Sequence, residues 1–137
     1  YTQLSERIRR RLVIENDDVR YNLEDCLQIH NATGIPIIFD NLHHRLNETP
    51  HSLIDALRLC EKTWRVSDGL MMVDYSDQEE NEQRGKHREQ VNIEDFKEFL
   101  EQSKTVDFDV MIEIKDKEKS TLEILEVLCD DSRFITR

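Results

Sequence analysis

The sequence is poor in the residues that interrupt chains and in those that crosslink them. Its 137 residues include 3 Gly and 2 Pro, too few for a collagenous or low-complexity polypeptide, and its apolar residues gather in short runs instead of thinning out as disorder requires. A folded chain of this length is expected to form one domain. No stretch approaches the roughly 18 consecutive apolar residues of a membrane-spanning helix, and no charged-then-apolar leader opens the chain, so a soluble protein with no membrane partner is expected. The three cysteines, Cys26, Cys60 and Cys129, are odd in number, far apart and each set in a helical pattern. That argues against a disulfide framework, fits a reducing cytoplasmic location, and leaves them as small buried hydrophobes. Positive charge is scarce too, with 19 Lys and Arg against 30 Asp and Glu and a net charge of −11. Such a balance repels phosphates on average. Placement matters more than the sum, because Arg7, Arg9, Arg10 and Arg11 cluster, as do Lys115, Lys117 and Lys119, and each divalent cation would offset two acids.

What the chain does contain is a repeat. Four short apolar runs, Arg11 to Glu15, Ile35 to Asp40, Leu70 to Asp74 and Phe108 to Glu113, each end in a carboxylate and are each followed by a polar loop and an amphipathic helical pattern. Near-continuous apolar runs mark strands buried on both faces, as in parallel sheets with helical crossovers. Caps and stripes place the helices. Asn22 precedes Leu23, Cys26, Leu27 and His30, with Gly34 and Pro36 as stops. Thr49 and Pro50 read as a cap and first helical residue before Leu53, Ile54, Leu57 and Cys60. Asn92 reads as the cap for Ile93, Phe96, Phe99 and Leu100, and Asp116 for a stripe of Leu122, Leu125 and Leu128. Leu4 and Ile8 look like the tail of a preceding helix, which residues 1–10 would complete.

The terminal carboxylates stand 25, 34 and 39 residues apart, close to the roughly 31 residues per βα unit of a (β/α)8 barrel. The reading is therefore an α/β fold of four consecutive parallel βα units, half of a TIM barrel. A doubly wound sheet would show a glycine-rich first turn, and Gly34, Gly69 and Gly85 form none. Strand parity puts Val13, Glu15, Ile38, Asp40, Met72, Asp74, Met111, Glu113 and Lys115 on the inward face, with Leu12, Ile14, Ile37, Phe39, Met71, Val73, Ile112 and Ile114 facing the helices. Four acids then converge at the mouth of the strands. Two bare carboxylates at 4 Å repel by about 4 kcal/mol at an effective dielectric near 20, so a cation is expected between them. His43 and His44 follow Asp40 by three and four residues, and His87 lies in the loop after the third run. Imidazole with carboxylate suits Mn, Zn or Fe at a site with open positions.

Several strings are longer than chance supplies: Arg-Leu-Val-Ile-Glu-Asn-Asp-Asp from Arg11 to Asp18, Gly-Ile-Pro-Ile-Ile-Phe-Asp ending at Asp40, and His-His-Arg from His43. Thr63-Trp64, Tyr75-Ser76 with Gln78, and Glu113 to Glu118 complete the set. In this order over essentially the whole chain, they resemble the ultraviolet damage endonuclease family. The resemblance implies the second, C-terminal half of a (β/α)8 barrel that holds up to three Mn2+ ions in its mouth and incises double-stranded DNA on the 5′ side of ultraviolet photoproducts. It further implies metal ligands at Glu15, Asp40, His43, His87 and Glu113. Asp74 stands where the family pattern has His and would still ligate; Met72 stands where the pattern has a modified, metal-bridging Lys, and methionine forms no carbamate. Glu15 and Glu113 are expected to hold the cluster, and Lys115, on the same face as Glu113, to contact a phosphate. The run from Asp77 to Arg88 reads as a long mobile mouth loop that delivers His87. The missing N-terminal half of the barrel is the implied partner, and without it the unpaired strand edges of an inactive fragment are expected to seek pairing, including dimerisation. A metal-dependent sugar isomerase of the same architecture and a non-catalytic half-barrel interaction module are the alternatives.

Overall fold

The structure, a computed structural model, describes residues 1–47 and 49–135. Helix α1 (Glu6–Arg9) leads into β1 (Ile14–Glu15), followed by α2 (Leu23–Thr33), β2 (Ile37–Asp40), α3 (Asn41–Leu46), α4 (Leu53–Glu61), β3 (Met71–Tyr75), α5 (Ile93–Gln102), β4 (Phe108–Ile112) and α6 (Glu118–Leu128). The sheet is parallel throughout, in the order β1-β2-β3-β4. Each strand neighbours the next one in the chain, as in a (β/α)8 barrel, with no reversal of order as in a doubly wound sheet. The four units make half of such a barrel.

The register confirms the two faces read from parity. Glu15 lies beside Ile38, Asp40 beside Asp74, and Asp74 beside Met111, and residues in register share a face. On the opposite face Ile37, Phe39, Met71, Val73 and Tyr75 are buried against Leu23 and Cys26 of α2, Ala56, Leu57 and Cys60 of α4, and Phe96 and Phe99 of α5. Aromatic rings tie this layer together, with Tyr75 edge-on to Phe96 at 4.9 Å and 5.1 Å from Phe99. The inward face is more open: Met111 of β4 is 47% exposed.

The N-terminal ends of the strands are closed by side chains whose hydrogen bonds are all met. Thr63 Oγ1 accepts from Ile37 N at 3.0 Å and donates to the Cys60 carbonyl, while Trp64 Nε1 donates to the Ile37 carbonyl at 2.7 Å. Trp64 also packs, partly buried, against the core. Arg133 donates to the carbonyls of Leu100, Ser103 and Val106 at the end of α5 and in its following turn, and it is steadied by Asp131 and by the Phe108 ring 5.5 Å away.

Several local expectations need correction. The first strand is two residues long because the turn after α1 runs on to Leu12, whose N–H bonds the Arg9 carbonyl. Ser52, not Thr49, caps α4: its hydroxyl accepts from Asp55 N and donates to the Asp55 carboxylate, a reciprocal pair that Thr49 does not form. Lys117 occupies the cap position of α6 at φ 54, and Asp116, one residue earlier, accepts from Ser120 N instead. Leu122, at 62% exposure, and Leu125 face outward. The buried stripe of α6 is Ser120 and Ile124 with Val127 and Leu128 half-buried, a competing 3.6-residue period in which a serine earns its place by accepting a bond from Val91 N. Cys26 and Cys60 are buried, but Cys129 is exposed.

Candidate metal centre at the carboxyl ends of the strands

Asp40 ends β2 with no solvent exposure. Its Oδ1 accepts from His43 N at 2.7 Å and so caps α3, a helix that the sequence pattern did not reveal. The cap brings His43, one turn on, back over the strand end. His43 Nδ1 then lies 2.9 Å from the Asn16 carbonyl, 3.0 Å from Glu15 Oε1 and 3.4 Å from Asp40 Oδ2. Glu15, Asp40 and His43 each offer one ligand atom, and these atoms lie within 4.8 Å of one another.

Asp74 stands beside Asp40 in the β2–β3 register. Glu113 continues β4, its N–H bonding the Tyr75 carbonyl. Its own carbonyl lies 2.9 Å from His87 Nδ1, and its Oε2 3.9 Å from the same nitrogen. The rings of His43 and His87 are 6.3 Å apart. His87 reaches this position because Gln78 and His87 form an antiparallel bridge. The Gln78 amide also donates to the carbonyls of Glu79, Gln83 and Lys86 and accepts from Gly85 N. Asp77 braces the base of the loop, accepting from the Tyr75 hydroxyl and from Asn92 N. Gly85, at φ +82, crosses so near Asp18 that a β-carbon would collide with the Asp18 carboxylate. Lys115 is exposed and forms no ion pair among the described residues; its N–H bonds the Arg88 carbonyl. His44 turns away from the mouth to Phe39 and the His51 carbonyl, and burial lowers its pKa.

The electrostatics of the cluster are those of acids waiting for a counter-charge. Burial pushes the Asp40 carboxyl up to about 6, against the opposing pull of the His43 N–H bond. Burial, then repulsion from Glu113, Glu15 and Asp40, pushes Asp74 up to about 7. The hydrogen bond to Glu15 pushes His43 up to about 9. Asp40 Oδ2 and Asp74 Oδ1 are buried without hydrogen-bond partners, a state that costs about 1–3 kcal/mol per group, more for charged ones. Two orphaned carboxylate oxygens, a third carboxylate and an imidazole form a hard oxygen and nitrogen donor set that fits a divalent transition metal.

The sequence singled out Glu15, Asp40, His43, Asp74, His87 and Glu113, and the fold gathers all six at one rim. It did not single out Asn16 or Asn41. Both directly follow a strand-end acid in the register of the helix-facing positions, where a buried polar residue is out of place unless its amide is fully used. Asn41 Oδ1 accepts from Ser76 N at 3.0 Å, while Asn16 exchanges two bonds with the Asp40 backbone. That polar break in an apolar register was the available signal.

Comparison with known proteins bears on the fold and the family. The family model described as UV-endonuclease UvdE matches residues 1–135. A UV DNA damage endonuclease of Clostridium perfringens (strain 13 / Type A) is 38% identical over 130 residues, covering 93% of this chain and 32% of that protein. One of Bacillus mycoides (strain KBAB4) is 32% identical over 130 residues, covering 93% of this chain and 40% of that protein. The crystal structure of SacUVDE superposes with a TM-score of 0.88 at 44% identity, covering 96% of this chain and 44% of that one. The chain thus spans 32% to 44% of the length of these relatives. It belongs to the UV-endonuclease UvdE family.

Proposed function

We propose that this chain is the C-terminal half of a metal-dependent DNA repair endonuclease that incises double-stranded DNA 5′ to ultraviolet photoproducts, with Mn2+ as the metal. The observation that carries the reading is the set of Glu15, Asp40 and His43 ligand atoms within 4.8 Å, beside two buried carboxylate oxygens that lack partners. Asp74, Glu113 and His87 complete the proposed ligand set. A divalent cation held there supplies Lewis-acid chemistry, activating water and neutralising charge on a phosphodiester.

The chain's own residues prepare that chemistry. Asp40 serves twice, one oxygen fixing the start of α3 and the other left for a cation. Glu15 on β1 and Asp74 on β3 flank it, and Glu113 follows at the end of β4; together they set the charge of the site. His43 and His87 each direct Nδ1 at a strand-end carbonyl, which fixes both ring orientations. Lys115, at the rim and in no ion pair among the described residues, contacts a backbone phosphate. Family membership weighs against the sugar isomerase alternative. The open inward face and the two strand edges take the N-terminal half of the barrel as their partner; alone, the 137 residues are inactive and pair through their edges, which light scattering would report as a dimer at high micromolar concentration.

The test is incision of ultraviolet-irradiated plasmid by the full-length protein. Nicking is expected with Mn2+, is lost after chelation and returns when the metal is restored. Equal nicking of irradiated and unirradiated plasmid, or nicking that chelation leaves intact, would overturn the proposal.

A further inference from the structure

Asn16 is a buried polar side chain near the mouth whose amide is engaged at both its oxygen and its nitrogen. It is 1% exposed, and its amide makes a closed rung with the backbone of Asp40: Nδ2 donates to the Asp40 carbonyl at 3.0 Å, and Oδ1 accepts from Asp40 N at 3.1 Å. Regular β1 pairing stops at Glu15. Asn16 therefore continues the sheet by one rung with a side chain where a strand would use its backbone. Its main chain is engaged as well, since the Asn16 carbonyl faces His43 Nδ1 at 2.9 Å. One residue thus touches the backbone of Asp40, the ring of His43 and, through the chain, Glu15.

We propose that Asn16 is the positioning residue of the metal centre, holding Glu15, Asp40 and His43 in mutual register by its amide rung and its carbonyl. The physical case is one of pre-organisation. Glu15 and Asp40 sit on different strands, and a two-residue β1 gives little backbone pairing to fix their separation. Without the rung, the Asp40 N–H loses the Asn16 acceptor and the Asp40 carbonyl loses a donor at a site closed to solvent, and the strand ends are free to splay. The His43 ring would then lose the carbonyl that fixes its rotation. Partners that orient a ligand in this way typically account for about 10- to 100-fold in metal affinity.

This inference rests on the proposed metal site, so its test uses one readout that needs metal and one that does not. In the full-length protein, Asn16→Ala is compared with Thr63→Ala, which removes an equally buried hydrogen-bonding side chain at the far end of β2. Titration calorimetry with Mn2+ is expected to show about a 10- to 100-fold loss for Asn16→Ala and little change for Thr63→Ala at matched folded fraction. NMR of the metal-free protein is expected to show the His43 Nδ1–H proton moved or lost to exchange in Asn16→Ala alone. If Asn16→Ala does not fold, Asn16→Asp serves: it keeps the acceptor for Asp40 N and turns the donor facing the Asp40 carbonyl into a second acceptor. By charge alone the added carboxylate would tighten cation binding, so a weaker affinity singles out geometry. Unchanged or tighter Mn2+ binding with an unmoved His43 proton would overturn the role of Asn16. Failure of the unsubstituted protein to bind Mn2+ would overturn the metal reading, and the proton resonance would still decide whether Asn16 orients His43.

Discussion

The two ends of the sheet are built on opposite rules. At the N-terminal ends of the strands, Thr63, Trp64 and Arg133 meet every backbone group they face, and Asp131 holds Arg133 in a matched pair that lowers the aspartate pKa. At the C-terminal ends of β2 and β3, Asp40 Oδ2, Asp74 Oδ1 and Ser76 Oγ are buried without partners; among the described residues, the other such atoms are His44 Nδ1, which is turned away from the mouth, and Arg9 Nε near the start of the chain. Buried polar groups are nearly always satisfied in folded proteins. Unmet groups gathered at one end mark where the fold gives up stability to keep donor atoms available, which is the division of labour of barrels whose chemistry sits at the carboxyl face.

The sharpest way to break this contrast is at Asp40. Asp40→Asn keeps the Oδ1 acceptor that caps α3 but removes the buried charge. At pH 8 the metal-free protein is expected to melt at the same temperature or higher, while Mn2+ affinity falls about 100-fold or more and incision falls with it. A variant that loses melting temperature and keeps its metal would make Asp40 a structural acid. At the other end, Arg133→Ala is expected to lower stability by about 2–3 kcal/mol, because it strands the Val106 carbonyl, takes a donor each from the Leu100 and Ser103 carbonyls, and leaves the Asp131 carboxylate without its counter-charge in a largely buried place. Denaturant unfolding measures that loss. Incision per folded molecule should be unchanged.

How much of this was legible beforehand depends on what each residue answers to. Strand faces were readable because burial on the helix side of a parallel sheet forces period two on Ile37, Phe39, Met71 and Val73, and with the faces come Glu15, Asp40, Asp74 and Glu113. The outward tilt of Leu122 and Leu125 was not, because Ser120 and Ile124 form a rival stripe on α6 whose value depends on a single hydrogen bond to Val91 N. Helix α3 was hidden because it is six residues long and its cap is the same aspartate that reads as a ligand. The loop carrying His87 read as a long polar stretch; its bracing by Gln78 and Asp77 lies in contacts between residues many positions apart, which no local pattern records.

The same contrast governs the response to pH. Asp40 and Asp74 bind protons more tightly folded than unfolded, with values near 6 and 7 against an ordinary aspartate near 3.9. They therefore favour the fold at acid pH, and that contribution is lost as pH rises through 6 and 7. His43, raised to about 9, contributes fully below its ordinary value near 6.5 and loses that contribution as pH climbs through 9. All three act in one direction, so the metal-free protein is expected to melt several degrees lower at pH 8.5 than at pH 5.5. Saturating Mn2+ should reverse the order, because the ligands must shed protons to bind it. An unchanged order with metal would separate the cluster from metal binding.

The smallest effect is expected at Lys115, and it tests whether the rim extends the function of the mouth. Lys115 follows Glu113 by two residues, is exposed, and forms no ion pair among the described residues, whereas Lys86 and Arg88 in the neighbouring loop are paired with Glu82 and Glu80. An unpaired lysine loses no partner when it is truncated, so Lys115→Ala should leave the melting temperature within about 1 °C. If its ammonium meets a phosphate, binding to irradiated duplex weakens by a few-fold, equally for every sequence, and the slope of log affinity against log salt falls by about 1. The neighbours make the control: Lys86→Ala, which frees Glu82 near the same rim, alters local charge without removing an available cation. A salt slope that moves for Lys86 and not for Lys115 would place the phosphate contact in the His87 loop instead of after β4.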